Sequence, residues 1–192
     1  MAAQMDRLTL DTNVIKDWAW CDGMSKEIRY GNDPTVLCEL RNQFETLKSL
    51  RDQGECELGI TNQLFTDYES DSGELPKHIE EMIGSYVSIA SPRISTFPLM
   101  FLLAFVDEKE IDAILQCVFP DSLPHHKRHR KNHKDALQLH AHRVARRDYF
   151  ITSDAHILAA HEKLSNTWNI KAVSLAEYLS MSLQSDRATE LS

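Results

Sequence analysis

Four aspartates, Asp11, Asp67, Asp135 and Asp154, could do chemistry together, because the order of strands and helices around them sends all four to one edge of a sheet. Carboxylates that cluster raise one another's pKa unless a cation compensates their charge. Carboxylate oxygens are hard ligands, which suit Mg²⁺ or Mn²⁺ better than zinc. The set therefore predicts a divalent metal site, although each aspartate taken singly also fits a structural role as a helix cap or a solvated residue.

Two of these aspartates follow predicted strands directly. Asp11 ends an apolar strand over residues 7–11, and Asp154 comes two residues after Thr152, at the end of a buried strand over residues 148–152. Open parallel α/β sheets bind their ligands in the crevice outside the carboxyl ends of the strands. Both side chains are therefore expected in that crevice.

The other two aspartates lie on predicted helices that start at the same edge. Asp67 lies two turns into the helix that follows a strand at residues 57–60. Asp135 lies in the first turn of a helix that Asn132 is expected to cap, at the third position after the cap. That helix leads back to the strand at 148–152, so it too must begin at the carboxyl edge.

Alternation of strands and helices along the rest of the chain predicts an α/β fold with three layers and a central, mainly parallel sheet of four to five strands. Further helices are predicted at residues 12–21, 35–53, 76–84, 107–118 and 174–183, with one more starting at 153. Further strands are predicted at 169–173 and at either 86–90 or 93–97. We expect one domain over residues 1–183, with a divergent helical and loop segment at 70–131 and a frayed tail over 184–192.

Composition narrows the class of protein. The chain has 192 residues, of which 42% are hydrophobic and 26% charged, as in an ordinary globular domain. No apolar run is long enough to cross a bilayer, and the N-terminus has no secretory pattern. The four cysteines are widely spaced, without a zinc or disulfide pattern. These features predict a cytoplasmic protein with reduced thiols and no membrane partner.

Charge is distributed unevenly, which bears on the partner. The net charge is −8, but the segment 124–147 carries eight lysines and arginines against one acid, Asp135, so it is +7 and the rest of the chain is −15. A basic stripe on an acidic body is typical of a surface that binds a polyanion. We expect the RNA-binding side chains to be Lys127, Arg128, Arg130, Lys131, Lys134 and Arg143.

Six of the nine histidines fall in or beside the same stretch: His125, His126, His129, His133, His140 and His142. We expect them to extend the basic surface and to gain charge as the pH falls through their reference pKa of about 6.5. Zinc binding is an alternative that the pattern leaves open.

The chain resembles the PIN-domain ribonucleases, the family of VapC-type toxins, in three motifs: Leu10-Asp11-Thr12-Asn13, Ile60-Thr61 followed by Asp67, and Asp135 followed by Ile151-Thr152-Ser153-Asp154. The resemblance covers residues 7–68 and 132–180 and implies a PIN-like three-layer fold. It implies that the catalytic metal ligands are Asp11, Asp67, Asp135 and Asp154. It also implies that their polar support comes from Thr12, Asn13, Thr61 and Thr152.

Three features depart from the family pattern. The second acid is more often glutamate, so Asp67 is one methylene shorter than usual, and the segment 70–131 is longer than in minimal toxins. The histidine-rich stretch before Asp135 is also not part of the pattern. Substrate choice therefore does not carry over from the family.

The resemblance implies a metal-dependent endoribonuclease that uses Mg²⁺ or Mn²⁺ to hydrolyse RNA to 5′-phosphate and 3′-hydroxyl ends. An antitoxin protein and a second copy of the chain are further partners that it implies. Two alternatives stay open: a catalytically weak PIN module that binds RNA or a protein, and a receiver-like phosphate-binding α/β domain. The last would need a lysine partner beyond the final strand, which the sequence lacks.

Overall fold

The computed structural model describes residues 5–23, 30–64, 79, 81–90, 107–123 and 128–190. Within these residues the strands are β1 (Asp6–Leu10), β2 (Cys56–Thr61), β3 (Val87–Ile89), β4 (Tyr149–Ile151) and β5 (Ala172–Val173). The helices are α1 (Thr12–Cys21), α2 (Pro34–Asp52), α3 (Glu108–Val118), α4 (His129–Val144), α5 (Ala155–Ala159), α6 (His161–Trp168) and α7 (Leu175–Glu190). A short 3-10 turn spans Tyr30–Asn32.

The five strands form one parallel sheet in the order β3-β2-β1-β4-β5, which confirms the predicted α/β class. Of the two predicted positions for the third strand, the one at residues 86–90 is confirmed, and residues 93–97 lie outside the described part. The strand order reverses between β1 and β4. A crevice at such a reversal is the usual ligand site of an open α/β sheet.

Helices cover both faces of the sheet, consistent with the predicted three layers. Leu8 and Leu10 of β1 pack in a core with α1, α2 and α7. Phe150 of β4 and Ala172 of β5 pack in a second core with α3, α4 and α6. Because successive strand residues point to opposite faces, each strand contributes to both sides.

Between α4 and the two strands β1 and β2 the contacts are polar rather than apolar. Thr9 Oγ1 lies 2.8 Å from Nδ1 of His142. Arg147, just beyond α4, donates to the carbonyl oxygens of Leu8 and Glu57 and to the Glu57 carboxylate, at 2.7–3.2 Å. A Cβ on Gly59 would lie only 2.8 Å from the Arg147 guanidinium, so glycine leaves the room that this side chain occupies.

Helix α4 begins at His129, three residues before the predicted cap. The side chain of Asn132 donates to Ser122 Oγ at 3.1 Å, so it is engaged with the preceding loop and does not cap the helix. Asp135 therefore lies in the second turn and not at a capping position. At the start of α1 the cap residue is Asp11.

The C-terminal elements differ from prediction in their lengths. The helix predicted from residue 153 divides at Ala160 into α5 and α6, and β5 is shorter than the predicted strand. Helix α7 continues to Glu190 instead of ending at Leu183. The backbone of residues 184–190, which was expected to fray, is therefore helical. All four cysteines are free. Within the described residues, none of the helices is long and apolar enough to span a membrane.

His142 gives the stability of the fold a pH dependence. The pKa of His142 is lowered to about 3, mainly by burial and to a smaller extent by the positive charge of Arg147. Because this value lies below the unfolded reference of about 6.5, the stabilisation is complete above that pH and is lost as the pH falls toward 3. We expect the free energy of unfolding to fall by about 1.4 kcal/mol per pH unit in this window. Urea denaturation of wild type and His142→Gln at several pH values measures the free energy of unfolding. If this free energy changed with pH equally in the two proteins, His142 would not be the source of the pH dependence.

Candidate functional site

Asp11 occupies the carboxyl end of β1 and is 1% exposed. Its Oδ2 atom accepts a hydrogen bond from Thr152 Oγ1 at 2.7 Å and lies 3.5 Å from the side-chain amide of Asn13. Its Oδ1 atom is buried and has no hydrogen-bond partner among the described residues. One carboxylate oxygen at the strand-order reversal is thus hydrogen-bonded by the protein, and the other keeps a hydrogen-bonding capacity that the described residues leave unused.

The environment of Asp11 disfavours its negative charge. Burial raises the pKa of this carboxyl to about 6, and the charge of Asp154 raises it further, against the lowering effect of the Thr152 hydroxyl and the amides of Thr12 and Asn13. A buried carboxylate beside a second one is stabilised in its ionised form by a nearby cation. The electrostatics therefore favour cation binding at this position.

Thr152 joins the two acids that follow β1 and β4. Its hydroxyl donates to Asp11 and accepts from the backbone N–H of Asp154 at 3.0 Å. Asp154 caps α5, because its Oδ1 atom accepts from the N–H of His156 at 2.9 Å. The cap and the metal-ligand roles considered for Asp154 are compatible, since a carboxylate has two oxygens.

Gln138 is a site residue that the sequence analysis missed. Its side-chain amide donates to Thr12 Oγ1 at 3.2 Å, and its carbonyl oxygen accepts from Thr61 Oγ1 at 3.3 Å. It thereby ties α4 to the start of α1 and the end of β2. The sequence feature that could have indicated Gln138 is its position three residues after Asp135, on the same face of a helix that must pack against the sheet.

Asp135 lies on the same face of α4 as Gln138 and His142. Asp135, Gln138 and His142 have the spacing i, i+3, i+7, so they lie along one stripe of the helix. His142 contacts Thr9 within β1, and Gln138 contacts the ends of the strands. Asp135 lies one further turn along, about 4.5 Å in axial rise beyond Gln138. Its side chain is buried, as in the predicted site.

Asp67 lies outside the described residues, so its role as a ligand stays a prediction. Across the described ranges, no three His, Cys, Asp or Glu side chains lie close enough together to hold one metal ion. Mg²⁺ commonly binds through one or two carboxylates and completes its shell with waters and substrate phosphates. The Oδ1 atom of Asp11, which lacks a hydrogen-bond partner, and the neighbouring carboxylate of Asp154 fit that ligand set.

The predicted RNA-binding residues divide between the two ends of α4. Arg128, Arg130 and Lys131 are exposed at its start, near Asp135, and Lys134 is half-buried there. Lys127 lies outside the described residues. Arg143 lies eight residues after Asp135, about 12 Å along the helix, and its guanidinium pairs with Glu110. Arg143 therefore does not border the crevice.

The histidines do not act as one surface. His140 is buried, with Nδ1 at 3.1 Å from Glu110, and His142 is buried in contact with Thr9. Burial also lowers the pKa of His133. The expectation that the histidines extend the basic surface is therefore wrong for His140 and His142. His125 and His126 lie outside the described residues.

In comparisons with known proteins, no family model matches this chain and no curated protein matches its sequence. The resemblance to PIN-domain ribonucleases thus stands on the three motifs and on chemistry alone.

Proposed function

We propose that this protein is a metal-dependent endoribonuclease with a PIN-like fold in one domain, acting in the cytoplasm on RNA. The observation that carries the proposal is the buried carboxylate of Asp11 at the strand-order reversal, whose Oδ1 atom has no hydrogen-bond partner among the described residues and whose neighbour is Asp154. A structural helix cap would not need a second acid joined to it through Thr152.

Asp11 and Asp154 would hold the cation, with Asp135 at the border of the same crevice. Mg²⁺ or Mn²⁺ bound there would lower the pKa of a water and stabilise the charge that develops on a phosphate. Asp67, on the resemblance alone, remains a proposed further ligand. An antitoxin protein or a second copy of the chain would be further partners if the protein is a toxin of this family.

The remaining residues would position these acids and the substrate. The Thr152 hydroxyl fixes Oδ2 of Asp11, which leaves Oδ1 directed to the ligand. Gln138 anchors the helix that carries Asp135 to the strand ends. Arg130 and Lys131 are exposed one turn before Asp135, where they can contact phosphates that flank the cleaved bond. Attack by water, rather than by the ribose hydroxyl, would leave 5′-phosphate ends.

A cleavage assay on labelled single-stranded RNA tests the proposal. Wild type is compared in Mn²⁺, in Mg²⁺ and in EDTA, and the product ends are identified by their sensitivity to phosphatase. We expect cleavage that requires metal and leaves 5′-phosphates, and Asp112→Asn, which alters an exposed acid of α3, is the matched control. Undiminished cleavage in EDTA, or 2′,3′-cyclic phosphate products, would overturn the assignment. RNA binding without cleavage would favour the catalytically weak module instead.

Thr152→Val should lower the cleavage rate by about 10–100-fold, which is typical when a group that orients a metal ligand is removed. Valine has nearly the shape of threonine but lacks the hydroxyl that bonds both Asp11 and the amide of Asp154. Thr152→Ser keeps the hydroxyl and should retain most of the activity. Equal rates for the valine and serine variants would show that the hydroxyl has no positioning role.

Replacing Arg130 and Lys131 together by glutamine should weaken RNA binding uniformly across sequences. For each phosphate that the variant no longer neutralises, the slope of log affinity against log salt should become shallower by about 0.7 for single strands. Fluorescence anisotropy at several salt concentrations, with EDTA present to prevent cleavage, measures the slope. An unchanged slope would remove these two side chains from the RNA interface.

A further inference from the structure

A second feature lies at the opposite edge of the sheet from Asp11. An open cavity of about 870 Å³ is bordered by Arg7, Arg146, Asp148, Trp168 and Lys171, among others. Arg7 stands at the start of β1, Asp148 just before β4 and Lys171 just before β5, so the cavity belongs to the amino-terminal ends of the strands. Arg7 and Asp11 are four residues apart in an extended strand, which separates the two sites by about 13 Å or more.

Most of the positive charge around the cavity is compensated, but part of it is not. Arg7 pairs with Asp148 at 3.2 Å, Arg143 pairs with Glu110, and Arg147 pairs with Glu57 at 2.7 Å. Within the described part of the chain, neither Arg146 nor Lys171 forms a salt bridge. Lys171 Nζ lies 5.4 Å from the centre of the Tyr149 ring. The charge of Lys171 acts on Asp6 and Asp148 without a direct bond to either, so Arg146 and Lys171 can both bond directly to an anion of charge about −2, which is that of a phosphate monoester.

Arg146 occupies a backbone position that usually selects glycine. It follows the last turn of α4 with φ of 51°, its N–H bonds to Arg143 O at 2.9 Å, and the N–H of Arg147 bonds to His142 O at 3.3 Å. This is a Schellman ending, in which the left-handed residue is most often glycine and sometimes asparagine. A long cationic side chain held at a conformationally costly position points to a role for the side chain itself.

The other side chains that line the cavity can contact an aromatic ring whose edges form hydrogen bonds. Trp168 is partly buried against the second core, and it borders the cavity. Asn166 and Asn169 are exposed beside it and offer amide donors and acceptors. Aromatic side chains bind nucleic-acid bases by stacking, whatever the base.

We propose that this cavity binds a nucleotide, with its phosphate held by Arg146 and Lys171 and its base packed against Trp168. The nucleotide can belong to an RNA strand, an assignment that rests on the proposed function, or it can be a free mononucleotide. The middle of α4, from Gln138 to His142, is buried, so this surface is separate from the basic residues near Asp135. The cavity is therefore a second site and not an extension of the crevice.

Calorimetric titration of the full chain in EDTA tests the proposal without any involvement of a metal site. The probes are 5′-AMP, adenosine, inorganic phosphate, an RNA trinucleotide and a single strand of about 15 nucleotides, long enough at 3.4 Å per nucleotide to reach both edges of the sheet. The variants are Arg146→Asn combined with Lys171→Gln, Trp168→Leu, and the control Lys163→Gln on the exposed face of α6. Asparagine at position 146 tolerates the left-handed backbone, so the double variant should fold.

We expect 5′-AMP to bind more tightly than adenosine or phosphate, and the double variant to weaken it by about tenfold or more, with no change in Lys163→Gln. Trp168→Leu should weaken the binding of 5′-AMP more than the binding of inorganic phosphate. If the double variant also weakens binding of the trinucleotide and the long strand, the ligand is a nucleotide within RNA; if only 5′-AMP is affected, it is a free nucleotide, and either result supports the site. The proposed site would be overturned if wild type and the double variant bound 5′-AMP and RNA equally. A lower melting temperature of the double variant with unchanged binding would also overturn it, because the two cations would then only stabilise the ends of α4 and α6. Because no metal is present, neither result depends on the cleavage assay.

Discussion

Asp11→Asn is expected to abolish metal-dependent RNA cleavage, with a rate loss of at least about a thousandfold, because removing a charged metal ligand costs several kcal/mol of transition-state stabilisation. The amide keeps the shape of the side chain and can still accept the hydrogen bond from Thr152. Initial rates with wild type and variant at saturating Mn²⁺ measure the loss. Activity within about tenfold of wild type would remove Asp11 from the reaction.

The same substitution should stabilise the protein when no metal is present. Because the pKa of Asp11 is raised to about 6 in the folded protein, the ionised carboxylate destabilises the fold. This loss of free energy of unfolding is fully present above pH 6, and it disappears as the pH falls to the pKa that the group has in the unfolded chain. Near neutral pH we expect Asp11→Asn to be more stable in EDTA by up to about 3 kcal/mol. Mn²⁺ should raise the melting temperature of wild type but not of the variant. A variant that is less stable than wild type in EDTA and equally stabilised by Mn²⁺ would contradict both expectations.

Arg147→Met is expected to produce the largest loss of stability, about 2–4 kcal/mol, because the guanidinium satisfies two backbone carbonyls and the carboxylate of Glu57 from a buried position. For a domain of this size the melting temperature should fall by about 5–15 °C. Lysine would not substitute, since its single ammonium group cannot reproduce the fork of donors. Thermal and urea unfolding measure the change.

Arg146→Asn is the matched control for Arg147→Met, because the neighbouring arginine is exposed and makes no such contacts in the described structure. Its stability should stay within about 0.5 kcal/mol of wild type, as is usual for a surface change. If both variants were destabilised equally, the effect would come from charge near the end of α4 and not from the buried hydrogen bonds of Arg147.

Much of the fold could be predicted because its signals are local. The apolar strand before Asp11, the cap at Asp107 and the short run before Thr152 each mark an element through periodicity or capping chemistry. Topology then followed, since strands and helices that alternate form a parallel sheet, and its edge collects the residues that follow each strand. For this reason Asp11 and Asp154 could be assigned to one crevice from spacing alone.

The rest depends on contacts that are distant in sequence. Gln138 bonds Thr12 and Thr61, and Arg147 bonds Leu8 and Glu57, over separations that no local pattern encodes. The start of α4 was predicted too late because the Asn132 side chain is bound to Ser122 rather than to the helix. The cavity beside Arg146 could not be foreseen, because three strand beginnings and two helix ends that meet there are far apart along the chain.

We propose that the carboxylates at the β1–β4 crevice bind the divalent cation that supports RNA hydrolysis. Crystals grown with Mn²⁺ and measured at the manganese absorption edge test it most directly, because the anomalous signal locates the ion independently of activity. We expect a peak within coordination distance, about 2.0–2.6 Å, of Oδ1 of Asp11, with Asp154 as a direct or water-mediated ligand, and no such peak in Asp11→Asn. Fully bound Mn²⁺ elsewhere, with the Asp11 carboxylate free of metal in an active preparation, would contradict it.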